Sequence, residues 1–429
     1  MADWPVARLG DLIEPGRSIS YGVVQPGEET PGGIPIVRVT DFHDERVSTA
    51  SPLRIRPDIE AKHARTRLRG GELLLTLVGT VGQAAVASAE IAGWNTARAV
   101  GVIPVRQDVG ARWVQLVLRG HSLREHIDAR LNTTVQATLN LRDVSELPIP
   151  IPEPRVRASV LAILGALDDK IELNRRTNET LEAMARALFK SWFVDFEPVR
   201  AKAEGRAPAG MDAATAALFP SRLVETAEGE VPEGWRRSSI YEVADVIYGA
   251  PFSSAEFNSA RRGHPLVRIR DLRVQAPDIF TTEDHPKGTM VRAGSIVVGM
   301  DGEFRAYLWC GPDAWLNQRC CTFAPKGGHA AAFVRYTIEG PLAAVEETET
   351  ATTVIHLGKS DIDRFRVVLP DERIVDAFAR LVSPIDARIV SAAQEARSLA
   401  AVRDALLPRL LSGELRVGQP GKLGEEAAP

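Results

Sequence analysis

Laid over its own second half, the 429-residue chain matches itself segment by segment. The run WPVARLGDLI from Trp4 answers WRRSSIYEVA from Trp235, and IPIVRVTDF (34–42) answers HPLVRIRDL (264–272). LRGGELLLTLVGTVG (68–82) answers VRAGSIVVGMDGEFR (291–305), and GWNTAR (93–98) answers AWLNQR (314–319). From about residue 132 the offset settles at 218, so that TLNLRDVSELPIPIPEPRV (138–156) lies over HLGKSDIDRFRVVLPDERI (356–374). A unit of about 220 residues is a duplicated domain and not a solenoid repeat. The chain must use one plan twice, and each half is expected to do the same physical job.

Within a unit the pattern changes once. Short β-rich runs such as IPIVRV, ELLLTLVG and AVGVIPV, bounded by Gly and Pro, predict a strand-rich domain over 1–152 and again over 234–370. After LPIPIP or VVLP the period becomes helical. Apolar or small residues fall at 160, 164, 167, 171, 181, 185 and 188, and in the second half at Phe378, Val382, Ile385, Ile389, Ala392, Ala396, Leu399 and Leu406. These steps of three and four make a heptad seam, interrupted by Asn174 and Asn178 in one copy and by Arg403 in the other. The fold class is thus α/β (α+β), with long helices over 153–197 and 371–413. At about 1.5 Å per residue each helix would run roughly 55 Å. Matching seams with a polar interruption predict that the two pair with each other, antiparallel, and hold the strand-rich domains at opposite ends. The competing arrangement packs each helix on its own domain.

The first helix closes with Phe189, Trp192, Phe193 and Phe196, one aromatic face at spacing i, i+3, i+4, i+7, followed by Pro198. Either the rings seal the helix end against a neighbouring domain or they dock a partner, since large aromatics anchor interfaces. Residues 198–233, rich in Ala, Gly and Glu, read as a surface linker. Residues 414–429 read as a flexible tail.

Composition narrows the chemistry. Three cysteines without a C-x-x-C or Cys/His cluster make neither a disulfide framework nor a structural zinc site. Adjacent Cys320 and Cys321 read as core. No charged leader or long apolar run occurs, so a soluble, cytoplasmic protein with no membrane role is expected. Asp58, Glu60 and Lys62 in PDIEAK imitate a nuclease signature, but a hairpin-borne metal site needs the first acid further away. GKS (358–360) lacks the glycine a phosphate loop needs at position 353, which is Thr353. GTVG (79–82) is too short for a dinucleotide fingerprint. No Asn-Pro-Pro or Asp-Pro-Pro precedes an aromatic, so methyl transfer to bases is not expected from this chain, and no nucleophile triad stands out.

What rises above background is local positive charge on a chain of formal charge −4. Arg54, Arg56, Lys62, Arg65, Arg67 and Arg69 cluster in one half, the last three at strand period; Arg261, Arg262, Arg268, Arg270 and Arg273 cluster in the other. Such patches attract phosphate whatever the global sum. With Arg38, they are candidate DNA contacts. Groups suited to base edges lie on expected loops: Thr80, Gln83, Asn95 and Arg98 in the first domain, Arg305, Asn317, Gln318 and Arg319 in the second.

Two globular domains alternating with two long helices, with LNLRDVSELPIPIP, LDDKIELNRRTNETLEAMARALFKSWFVDFEPVRAKAEGR and LLPRLLSGELRV at the unit ends, resemble the specificity subunit of type I restriction-modification systems. The likeness covers nearly all of 1–417. It implies two target recognition domains, each reading half of a split sequence in double-stranded DNA, and an antiparallel helix pair acting as a ruler. It implies a non-catalytic subunit that binds two methyltransferase (modification) subunits and, through them, restriction subunits. No cofactor is expected in this chain; S-adenosylmethionine and ATP would be bound by those partners. Phe189, Trp192, Phe193 and Phe196 would lie where modification subunits dock. Recognition domains of the family vary, so single DNA contacts do not carry over. A coiled-coil scaffold that reads no sequence is the alternative.

Overall fold

The computed structural model describes residues 4–43, 45–131, 137–326, 330–348 and 355–416. The expected tail falls outside these from residue 417 onward. The chain forms two units, 1–168 with 400–429, and 169–399.

In the first unit, Leu73–Thr76 and Val100–Ile103 are buried along their whole length, as continuous apolar runs must be when both faces are covered. They form the centre of a four-stranded antiparallel sheet, flanked by Ser20–Tyr21 and Ala84–Val86. A second sheet pairs Ile34–Val37 antiparallel with Leu53–Ile55 and parallel with Asn95–Thr96. The second unit builds both features again. Ala244–Tyr248, Cys320–Pro325, Ile296–Gly299 and Ala306–Leu308 lie in the corresponding order, all antiparallel, and His264–Val267 runs parallel to Ala314–Leu316. In each unit the strand after the first Trp returns to the end of the domain, Val6–Arg8 against Pro148–Pro150 and Arg236–Ser239 against Arg366–Leu369.

The parallel crossing demands a glycine in both copies. A Cβ on Gly22 would stand 1.8 Å from the Thr96 carbonyl oxygen, and one on Gly249 would stand 2.1 Å from that of Asn317. The same crossing corrects the expected alignment by one residue. Arg98 N–H donates to Val23 O at 2.8 Å, and its counterpart is Gln318 N–H, donating to Ala250 O at 3.0 Å. Arg98 therefore corresponds to Gln318, not to Arg319.

Two 40-residue helices, Pro154–Phe193 and Glu372–Leu411, occupy the heptad segments. Their pairing is legible within each unit. In the first, Val160 and Leu164 share a core with Leu407 and Leu410, and Arg403 meets Asp168 at 3.0 Å. In the second, Asn174 Nδ2 donates to Glu395 at 2.9 Å, Asn178 Nδ2 to the Ile389 carbonyl at 3.1 Å, and Leu181 packs with Ile385 and Ile389. Partners fall in number on one helix as they rise on the other, so the helices are antiparallel. Arg403, out of place in an apolar seam, is there to face a carboxylate.

The segment expected as a surface linker is folded. The first helix ends with Asp195 N–H donating to Lys190 O at 2.8 Å and Phe196 in the left-handed region at φ 54°. Pro198 then opens a helix, Glu197–Ala203, instead of ending one, because first-turn positions need no N–H. Asp212 caps Ala213–Leu218 through Thr215 N–H at 2.8 Å, and Leu223–Val224 pairs with Val231–Pro232. Val199, Phe219 and Val231 are buried, so this stretch adds to the core of the second unit.

Candidate nucleic-acid interface

The basic run of the first unit is not a strand. Ala64–Thr66 is a 3-10 turn followed by a loop. The alternation survives in another form: Thr66 and Leu68 point inward, while Arg65, Arg67 and Arg69 are exposed. Leu68 N–H donates to Trp94 O at 2.8 Å, and the Thr66 hydroxyl bonds Asn95 at 2.8 Å, which fixes the inward pair. Arg67 is bound by Glu60, with Nε 2.9 Å from the carboxylate. That guanidinium, with help from Asn95, holds the buried Glu60 carboxyl below its usual range. Glu60 thus organises a loop, and Asp58 pairs with Arg56; the apparent nuclease signature is structural. Arg65 and Arg69 carry side chains without an ion-pair partner among the described residues.

Three of the expected contacts take structural places. Asn95 is fully enclosed: its oxygen accepts from Thr66 and from Thr96 N–H, and its amide donates to Glu60 and to His63 O. No part of it is left for a base edge. Arg38 and Arg268 repeat one motif at the same place in each unit. Arg38 wraps buried Asp41, with backbone N–H at 2.7 Å, Nε at 3.2 Å and Nη2 at 2.8 Å. Arg268 does the same to Asp271, at 2.9, 3.0 and 3.2 Å, and also contacts Asp278. Their charge is answered within the fold.

The remaining candidates gather on loops. Thr80 and Gln83 are exposed on the turn joining Leu73–Thr76 to Ala84–Val86, which is tied by Thr76 Oγ1 accepting from Gln83 N–H at 2.9 Å. Leu77 N–H donates to Ala99 O at 2.7 Å, bringing the Arg98 turn beside that loop. Arg98 shares a cavity of about 370 Å³ with Tyr21, Leu77 and Val78. Tyr21, 38% exposed, was not singled out by sequence; its only signal is an aromatic in a short polar strand. In the second unit the matching loop and turn also meet, Met300 N–H donating to Arg319 O at 2.9 Å. Gln318 and Arg319 are exposed there, Arg319 lying 3.5 Å from Asp301. Asn317 is buried, its oxygen accepting from Arg319 N–H at 3.1 Å. Arg305 is exposed and paired with Glu303. Arg270 projects from the helix Ile269–Val274 without a partner among the described residues.

The aromatic face at the end of the first helix is core. Phe189, Trp192, Phe193 and Phe196 are 3–9% exposed. Their rings stack within 5–6 Å of Phe219, Trp235, Phe333 and Phe378. The expectation that they offer a docking face is thereby corrected: rings this enclosed stabilise the domain they cover. Cys320 and Cys321 are likewise enclosed, burial pushing the Cys321 thiol up to about 12.

Comparison with known proteins bears on this architecture. The family of the type I restriction modification DNA specificity domain matches residues 1–183. The specificity subunit of type I restriction enzyme HindI of Haemophilus influenzae is 28% identical over 336 residues, 67% of this chain and 73% of that protein. The MjaIX specificity subunit of Methanocaldococcus jannaschii is 24% identical over 97% of this chain and 94% of its own. The crystal structure of a type I restriction-modification S subunit from M. genitalium aligns with TM-score 0.52 at 13% identity, covering 95% of this chain and 96% of its own, a likeness of fold. Its first 183 residues thus resemble that specificity domain, and the relatives it matches are specificity subunits of type I restriction enzymes. No helix among the described residues is long and apolar enough to cross a membrane.

Proposed function

We propose that each strand-rich domain reads one half of a bipartite target in double-stranded DNA, and that the helix pair sets the distance between the halves. The observation that carries this reading is the repeat of one construction: the same sheet order, the same glycine crossing and the same Arg–Asp clamp, each beside exposed loops of base-pairing character. Readers are expected at Thr80, Gln83 and Arg98 in one domain and at Gln318 and Arg319 in the other, with Arg65, Arg69, Arg270 and Arg305 holding phosphates. The chain works in the cytoplasm with two modification subunits, which bind S-adenosylmethionine, and through them with ATP-driven restriction subunits in phage defence. Selection from random duplexes with the modification subunit present tests this. A split motif of two short blocks at fixed spacing is the expected result, and enrichment of no motif overturns it.

A further inference from the structure

The two halves differ at one place where the repeat demands likeness. In the second unit Trp235 is 6% exposed, covered by Phe193, Phe196 and Phe219 at ring distances of 6.0, 5.8 and 6.3 Å. Phe193 ends a long helix; Phe196 and Phe219 belong to the chain that runs on from it. In the first unit the corresponding ring is Trp4, which rests edge-on against Trp113 at 6.3 Å. At the offset of 218, Leu411 stands for Phe193 and Glu414 for Phe196.

Among the described residues, the rings that cover Trp235 thus have no counterpart over Trp4. In their place is a cavity of about 410 Å³, lined by Trp4, Val6, Leu123, Pro150 and Leu411. Val6 is 63% exposed on the strand where the second unit has Arg237, itself turned toward Glu228 of the covering segment. His126, also on the wall, has an enclosed Nε2 with no hydrogen-bond partner among the described residues, and burial lowers its pKa. An apolar wall with one unanswered polar atom matches an aromatic side chain with a backbone or hydroxyl group beside it. The sequence beyond Arg416, VGQPGKLGEEAAP, contains no aromatic residue.

We propose that this groove seats an aromatic-bearing segment of a partner polypeptide, which gives Trp4 in trans what residues 196–219 give Trp235 in cis. It rests on the reading of the chain as one subunit of a larger assembly. Burying one large ring in such a seat makes an anchor of the kind that dominates interfaces.

The test uses the full chain and purified modification subunit, with Val6→Asp and His126→Ala as separate variants and a photoreactive phenylalanine at position 6 as reporter. Val6→Asp changes an exposed position, so its fold is checked by circular dichroism and its binding by titration. Affinity for the modification subunit is expected to fall roughly tenfold or more in Val6→Asp, with the photoproduct mapping to an aromatic-containing peptide of that subunit. Assembly with affinity within twofold of the parent overturns the groove and leaves the proposed function standing. Failure of the unaltered chain to assemble at all overturns that function, and the groove with it. Crosslinking at position 6 to residues 417–429, or a concentration-dependent dimer that Val6→Asp dissolves, assigns the groove to the chain itself or to a second copy, and either overturns the proposal.

Discussion

Asn174, 1% exposed on the first long helix, donates through Nδ2 to Glu395 on the second across 2.9 Å. One turn on, Asn178 donates to the Ile389 carbonyl, while its own oxygen is enclosed without a partner among the described residues. The pair of amides fixes which residues of the seam face each other, at unequal cost. Asn174→Ala should lower stability by about 1–2 kcal/mol, and Asn178→Leu should be neutral or add about 1 kcal/mol, because the orphan oxygen goes with the amide. Urea denaturation of the two variants measures the contrast.

Arg335, 3% exposed, reaches Glu182 on one helix, Asp386 on the other at 3.5 Å and the Ala306 carbonyl at 3.4 Å. It ties the strand-rich domain of the second unit to both helices at once. Arg335→Met leaves two carboxylates facing an apolar side chain and should cost about 3–5 kcal/mol. Thermal unfolding reads the loss. A double change that also replaces Asp386 with Asn should recover part of it.

Burial pushes the Asp386 carboxyl up to about 6, against the pull of Arg335. The folded state therefore holds this proton more tightly than the unfolded chain. The group's contribution is most favourable below the ordinary carboxylate range and is lost as pH rises toward and through about 6. Relative to the parent, Asp386→Asn should gain on the order of 2–3 kcal/mol between pH 4 and pH 7. Chemical denaturation at the two pH values checks the sign; a difference that does not grow with pH contradicts it.

If Arg65, Arg69 and Arg270 meet phosphates, alanine at each should weaken DNA binding by a similar factor on all sequences and reduce the salt slope by about one per contact. Arg98→Ala and Gln318→Ala should instead relax preference at one position of one half-site, by about 1–3 kcal/mol. Arg38→Ala should act through stability, since its guanidinium is spent on Asp41. Fluorescence anisotropy across a salt series separates the three outcomes.

Much of this was legible in the residues because duplication and heptad spacing are long-range patterns that noise does not imitate. The helices and the strand-rich domains follow from them. What escaped was decided by enclosure. GWNTAR and AWLNQR match by eye, yet the parallel crossing sets their register one residue away, with Asn95–Thr96 on Ile36–Val37 in one unit and Trp315–Leu316 on Leu266–Val267 in the other. Asn95 has the chemistry of a base reader and the surroundings of a loop anchor, a difference visible only once Glu60 and Thr66 are in place. The aromatic face of the first helix announced burial, and only the fold showed what buries it, Phe219 from the segment that follows the helix and Trp235, Phe333 and Phe378 from further along the chain.

The central claim is that the helix pair fixes the distance between two readers. Matched insertions of four residues, one in each long helix at paired positions, lengthen the rod by about 6 Å while keeping the seam nearly in phase. Methylation footprinting of the assembled complex should then show the same two half-sites with a longer gap between them. An unchanged gap would contradict the account.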